Sequence, residues 1–227
     1  MAPIATMFLK LHETLASDDL AAIRRVLESA DLVDGTATGK ATLKRNLQSP
    51  QGNPGLEDVT RQVVDAVTGR QEFHAYAAPQ RVTVTFNRYD TGMQYKTHMD
   101  AAVMGDMGGK PMRTDLSFTL FLSEPADYEG GELAVETSLG EVRLKEAAGT
   151  AVVYPANMLH RIEPVTAGAR LAAIGWVQSV LRHGYQRELM LDLYRLRAEI
   201  ARDHPDSRYH ERINRIKGNL MRSWAEI

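Results

Sequence analysis

The chain contains no cysteine. That absence excludes disulfides, thiolate zinc sites, iron–sulfur clusters and cysteine nucleophiles, so any metal must be held by histidine nitrogen and carboxylate oxygen. Long apolar runs are missing too. Nowhere do about 18 apolar residues follow one another, and the opening MAPIATMFLKLHETLASDD lacks the apolar stretch of a signal peptide. A soluble cytoplasmic protein with no membrane contact is the expectation. A basic excess is also lacking: 27 Lys and Arg stand against 29 Asp and Glu, a net charge of −2. Dedicated nucleic-acid binders carry a basic, aromatic-rich groove, and neither feature is evident here. There is no internal repeat and no low-complexity tract.

What remains is an ordinary globular mix, 44% hydrophobic and 25% charged over 227 residues, enough for one sizeable core. Residues 1–80 read as a helical support region for a catalytic core. DDLAAIRRVLESA, residues 18–30, sets Leu20, Ile23, Val26 and Leu27 on one face, with Ser17 or Asp18 as N-cap. LEDVTRQVVDAVTG, residues 56–69, carries Val59, Val63, Val64 and Val67 and stops at Gly69. DGTATGK and LKRNLQSPQGNPG lie between them as loops.

Residues 81–180 change period. RVTVTFNRY and DLSFTLFLSE alternate, and GGELAVET, GEVRL, GTAVVYP, MLHRIEPV and ARLAAIGWVQSVL add further short β-prone runs. No helix-length insertion separates them, which favours an antiparallel sandwich or barrel over a doubly wound sheet. Gly130 and Gly131 read as the turn feeding ELAVET. Residues 181–227 return to helix, with one stripe of Leu189, Leu193, Leu196 and Ile200 and another of Ile213, Ile216, Leu220 and Trp224. Those stripes pack on the β core or on a second subunit, so the tail is compatible with a homodimer.

The chemistry starts in QYKTHMDAAV, residues 94–103. On a strand, residues two apart share a face, so His98 and Asp100 project together with Met99 outward. His-x-Asp alone is a weak signal. His160 on a later strand and Arg170 on the next strengthen it, since a hairpin between neighbours brings both into one cavity. Two neutral imidazoles and one carboxylate on one face of a metal are the ligand set of non-haem Fe(II) oxygenases. Three positions then stay open, two for a chelating 2-oxo acid and one for O2. Arginine suits the acid's distal carboxylate, because its planar fork stays charged and binds bidentately. In DLSFTLF, alternation places Asp115, Ser117, Thr119 and Phe121 on one face, as pocket lining or towards solvent, and Leu116, Phe118, Leu120 and Leu122 on the other. Trp176 shares Arg170's alternation, and either reaches the cavity or packs in the core. His12, His74, His183, His204 and His210 have no partners at ligand spacing.

The combination YxxHxD, FLSxPxDYxGGEL, YPxxxLHxxxPVTxGxR and WxQS resembles the PKHD-type hydroxylases, relatives of the prolyl 4-hydroxylases among the Fe(II)/2-oxoglutarate dioxygenases. The likeness covers most of the chain. It implies a mainly β fold with flanking α: a double-stranded β-helix (jelly roll, cupin-like) with N-terminal helices and a C-terminal helical extension. It also implies His98, Asp100 and His160 as iron ligands, Arg170 on the C5 carboxylate of 2-oxoglutarate, and Tyr89 beside that cosubstrate. Fe(II), 2-oxoglutarate, O2 and L-ascorbate as reductant come with it, the substrate being a protein side chain or a small molecule. A non-catalytic metal-binding jelly roll for sensing, and nucleic-acid demethylation on the same fold, are the competing functions. Two departures stand out. Relatives follow the metal aspartate with Asn-Ala, where this chain has Ala101 and Ala102, and LKRNLQ keeps Lys44, Asn46 and Gln48 while placing Arg45 among them.

Overall fold

The computed structural model describes residues 8–38, 42–50, 52–105 and 110–227. The start of the amino-terminal stretch and the end of the DGTATGK loop lie outside the described residues. Within the described residues there are fifteen strands. In chain order they are β1 (Leu9–Leu11), β2 (Val33–Asp34), β3 (Lys44–Arg45), β4 (Leu47–Gln48), β5 (Pro79–Asp90), β6 (Gln94–His98), β7 (Val103–Gly105) and β8 (Pro111–Arg113). Then come β9 (Leu116–Phe121), β10 (Tyr128–Gly130), β11 (Leu133–Thr137), β12 (Gly140–Leu144), β13 (Ala151–Pro155), β14 (His160–Ile162) and β15 (Val165–Ser179). Five α-helices flank them: α1 (Ser17–Ser29), α2 (Glu57–Thr68), α3 (Gln71–Ala77), α4 (Gly184–Asp203) and α5 (Tyr209–Trp224).

The strands build two antiparallel sheets. The larger runs β1-β13-β9-β15-β5-β4-β2, with β10 also on β15, and the smaller runs β12-β11-β14-β6-β3. β7 and β8 form a separate hairpin. The alternation in β9 decides how the layers stack. Leu116, Phe118 and Leu120 face the helices, joining Ile23 and Leu27 of α1, Val59, Val63 and Val67 of α2 and Phe73 of α3 in one core. Phe121 faces the other way, with Tyr89, Val152 and Tyr154 of the large sheet and Leu133, Val135 and Ile162 of the small one. This second core fills the space between the sheets, as a jelly roll requires.

Gly175 permits the first core to close. Any Cβ there would run into the Phe118 ring, which is fully buried and meets Phe73 edge-on at 6.4 Å. Gly130 ends β10 at an irregularity in its pairing with β15 rather than in a separate turn, and Gly131 leads on towards β11, both with positive φ.

Several local expectations are corrected. The N-cap of α1 is Ala16 with no side-chain bond, and Asp18 and Asp19 sit in the first turn, where the helix dipole favours negative charge. Gly69 ends α2, but α3 begins almost at once and closes on Ala78 in the left-handed conformation. The amino-terminal part also supplies β1 and β4 to the large sheet and β3 to the small one. In α4 the docked residues are Gln186, Arg187, Met190 and Leu191, while Leu189 and Leu196 are each 45% exposed. The helix is pinned by Arg187, whose Nη1 donates to the carbonyls of Leu181 (2.8 Å) and Arg182 (3.0 Å). In α5, Leu220 and Trp224 do pack, against Ala78, Leu181 and Met190. Among the described residues, no helix is long and apolar enough to cross a membrane.

Candidate metal and cosubstrate site

β6 and β14 are neighbours in the small sheet, and their register sets His160 directly opposite His98. A bulge between His160 and Ile162 adjusts the pairing there. Asp100 lies just past the end of β6, in the extended segment that continues it. The His98, Asp100 and His160 side chains each offer a ligand atom within 4.8 Å of the other two. His160 Nε2 lies 3.9 Å from Asp100 Oδ1.

The surrounding bonds fix which atoms face inward. Nδ1 of His98 lies 2.8 Å from the Lys96 carbonyl, and Nδ1 of His160 lies 3.0 Å from the Met158 carbonyl. A carbonyl only accepts, so Nδ1 carries the proton in each ring and Nε2 keeps a free lone pair. Ser117 donates its hydroxyl to Asp100 Oδ2 at 2.5 Å, leaving Oδ1 towards the histidines. Tyr95 stacks on His98 with centroids 3.5 Å apart. Burial, reinforced by the nearby His160, holds the His98 pKa down at about 4, against the Lys96 carbonyl and Asp100. The imidazole is therefore neutral at pH 7, the form a metal needs.

A cavity of about 710 Å³ opens over these three residues. Thr119, Tyr89, Tyr154, Ile174 and Trp176 line it from the large sheet, and Lys44, Tyr95 and Leu133 from the small one. Ser117 and Phe121 do not reach the cavity surface: the first holds Asp100, and the second packs under Arg170. Asp115 turns elsewhere, pairing with Arg113 at 2.7 Å and accepting from the Ser179 amide at 2.8 Å. Met99 is 53% exposed, yet it contributes to the cavity mouth with Met104.

Arg170 is fully buried on β15, facing Tyr89 across the β15–β5 pairing. The expected hairpin is corrected: β14 belongs to the small sheet and β15 to the large one. His160 and Arg170 thus belong to opposite layers; Tyr89, against which Arg170 packs, reaches the cavity lining with His160, while Arg170 lies buried behind it. The guanidinium carbon lies 5.4 Å from the ring centroids of both Tyr89 and Phe121. Among the described residues, none of its three nitrogens has a hydrogen-bond partner. The Tyr128 phenol lies nearby without completing such a bond, and burial, more than the guanidinium, sets its pKa above the usual value. Burial likewise raises the Tyr89 phenol, which stays protonated as a donor. A fully buried guanidinium without an anion is costly, so these unbonded nitrogens suit an anionic group such as a carboxylate.

Sequence reasoning passed over Lys44, Gln48 and Tyr95 as site residues. A signal was present: in KRNLQ the polar Lys44, Asn46 and Gln48 alternate and are all buried, while Arg45 between them is exposed. Buried polar residues alternating along an extended stretch, here one that passes from β3 to β4, invert the usual pattern and mark a cavity wall.

Residues 84–178 match the 2OG-Fe(II) oxygenase superfamily, which implies Fe(II) and 2-oxoglutarate and defines the class of the protein. Along its whole length the chain is similar to curated PKHD-type hydroxylases. One from Acaryochloris marina is 41% identical over 224 residues, and one from Synechococcus sp. (strain JA-2-3B'a(2-13)) is 38% identical over 225; each alignment covers 97% of this chain and 100% of the relative. The chain belongs to the PKHD-type hydroxylases. The fold agrees with a prolyl-4-hydroxylase structure from Pseudomonas putida, with a TM-score of 0.53 at 20% identity, covering 76% of this chain and 92% of that one.

Proposed function

We propose that His98, Asp100 and His160 hold Fe(II) through two Nε2 atoms and Oδ1, and that Arg170 with Tyr89 holds the distal carboxylate of 2-oxoglutarate. The orphaned guanidinium of Arg170, set across the sheets from the His/Asp/His cluster, carries this reading. A metal-binding module for sensing needs no such clamp. When bound, iron, 2-oxoglutarate and O2 supply the oxidation: the cosubstrate is decarboxylated to succinate and CO2, and a substrate C–H bond becomes C–OH. The chain's own residues do the positioning. Ser117 orients Asp100, the two backbone carbonyls fix the imidazole tautomers, and Tyr95 buttresses His98. Thr119, Tyr154 and Trp176 keep the cavity walls in place around the reacting groups. L-ascorbate acts as reductant for iron oxidised without substrate.

Anaerobic Fe(II) plus 2-oxoglutarate gives a weak visible charge-transfer band with the wild-type protein. His98→Ala and Asp100→Ala abolish it, and an unchanged band in either variant rejects the ligand assignment. Arg170→Ala raises the 2-oxoglutarate concentration needed to develop the band. Succinate release under air separates an enzyme from a binding module, which releases none.

A further inference from the structure

Lys44 is 8% exposed, on the strand that flanks the metal strand, in register with Tyr95. Its Nζ donates to Gln48 Oε1 at 2.6 Å and Thr38 Oγ1 at 3.0 Å, both neutral acceptors. An ammonium has three donors, so one remains for a further partner. The Tyr95 ring lies 5.4 Å from Nζ. Among the described residues no carboxylate forms an ion pair with it. The negative charge it feels is that of Asp100, which the proposed metal occupies.

Charge does not balance in the loaded cavity. The two negative charges of 2-oxoglutarate cancel the two positive charges of Fe(II). Asp100 offsets one of the two buried basic side chains, Lys44 and Arg170. Arg170 already faces the cosubstrate, so the uncompensated positive charge falls on Lys44. Of the other charged lining residues, Arg61 pairs with Asp58 at 3.5 Å and Glu57 is exposed to solvent, so neither reaches Lys44 as a counter-ion. The cavity lining is more apolar than polar, with Leu56, Val64, Met99, Met104, Ile174 and Trp176 beside Thr60, Thr83 and Thr85. A volume of about 710 Å³ is that of a small-ligand site.

We infer that Lys44, held by Gln48 and Thr38, is the specificity-determining anchor for a carboxylate on the substrate, whose apolar body lies along Met104, Ile174 and Trp176. The substrate class is then an organic acid with an apolar body, hydroxylated at a carbon remote from its carboxylate. This rests on the proposed iron and 2-oxoglutarate site. A buried cation beside a metal dication is unfavourable until an anion joins it, and a substrate carboxylate supplies that anion at the moment of binding. The same chemistry comes from a free acid or from the terminus of a peptide.

The test is calorimetric titration of the protein loaded with redox-silent Mn(II) and 2-oxoglutarate. Hexanoate is compared with hexanamide, and an acetylated apolar dipeptide acid with its amide. In the wild type at least one acid binds about tenfold more tightly than its amide, the preference of one charge-assisted bond. The fatty acid alone showing it identifies a free acid, and the dipeptide alone a peptide terminus. Lys44→Met removes the preference, Lys44→Arg retains most of it, and 2-oxoglutarate affinity in each stays within about twofold of wild type. Gln48→Glu is the second variant: a carboxylate in contact with Nζ neutralises Lys44 in place and abolishes the preference even if Lys44→Met does not fold. Equal discrimination in wild type and Gln48→Glu, or none in wild type, overturns the inference. Failure of 2-oxoglutarate to bind the Mn(II)-loaded wild type rejects the cosubstrate reading instead, and the same Lys44 comparison on metal-free protein then decides the subsite by itself.

Discussion

Asp100 has two oxygens with two different tasks, and Ser117 is what separates them. Its hydroxyl occupies Oδ2 at 2.5 Å and orients Oδ1 towards His160. Ser117→Ala keeps all three proposed ligands but frees the carboxylate to rotate. Metal affinity then falls by about tenfold to a hundredfold, measured by Mn(II) titration, while thermal stability stays near wild type. Lys44 yields a pH signature. Burial pulls its pKa down to about 8 against the opposing pull of Asp100. The titratable groups around it are Asp100, which is charged, and His98 and Tyr95, which are neutral at pH 7. As pH rises through about 8 the ammonium loses its proton, so acid-over-amide discrimination fades above that value. The stability sign is the reverse. The unfolded chain binds the Lys44 proton more tightly, so this residue's contribution grows from pH 8 upward. A discrimination profile that stays flat to pH 10 rejects Lys44 as the charged anchor.

The strands that carry the chemistry were legible because alternation in DLSFTLF and ARLAAIGWVQS is long enough to specify two faces. The helix-facing Leu116, Phe118 and Leu120 and the inward Ser117, Thr119 and Phe121 obey it directly. His98 and His160 could be paired in sequence as ligand types, but their cross-strand register depends on a bulge that composition does not encode. The short β1–β4 were not visible, since two or three residues carry no period. α3 was hidden because QEFHAYA spans barely two turns after a glycine. The α4 stripe leaves Leu189 and Leu196 exposed rather than docked on the β core; the face that docks carries Gln186, Arg187, Met190 and Leu191, and a hydrophobic stripe does not signal its two polar residues. Long strands have their own vulnerability. β15 lies between β9 and β5, and Gly175 is where it approaches the Phe118 ring. Gly175→Ala overpacks that contact and costs about 1–3 kcal/mol in urea unfolding, with the metal site intact. An unaffected midpoint shows that Phe118 has room to turn aside.

The molecule as a whole is folded around a charge it does not satisfy by itself. Arg170 is fully buried with three unbonded nitrogens, at the place where the two sheets and the jelly-roll core converge. The Tyr89 and Phe121 rings 5.4 Å away give the guanidinium cation–π contacts, but neither supplies an anion or a hydrogen-bond acceptor for its nitrogens. The folded state therefore carries a strain that only an anionic ligand relieves. Arg170→Met removes the buried charge and keeps most of the volume. It raises the stability of the ligand-free protein by about 1–4 kcal/mol. For a chain of this size that is a rise in Tm of roughly 2–4 °C per kcal/mol. Wild-type protein with Mn(II) gains further stability on adding 2-oxoglutarate, about 2.7 kcal/mol at a hundredfold excess over Kd. Arg170→Met loses that second gain and retains the one from Mn(II) alone, because His98, Asp100 and His160 are untouched. Differential scanning fluorimetry of both proteins, ligand-free, with Mn(II) and with Mn(II) plus 2-oxoglutarate, separates the two effects. A variant less stable than wild type without ligand, or one that still responds fully to 2-oxoglutarate, means that Arg170 is structural and that the clamp lies elsewhere.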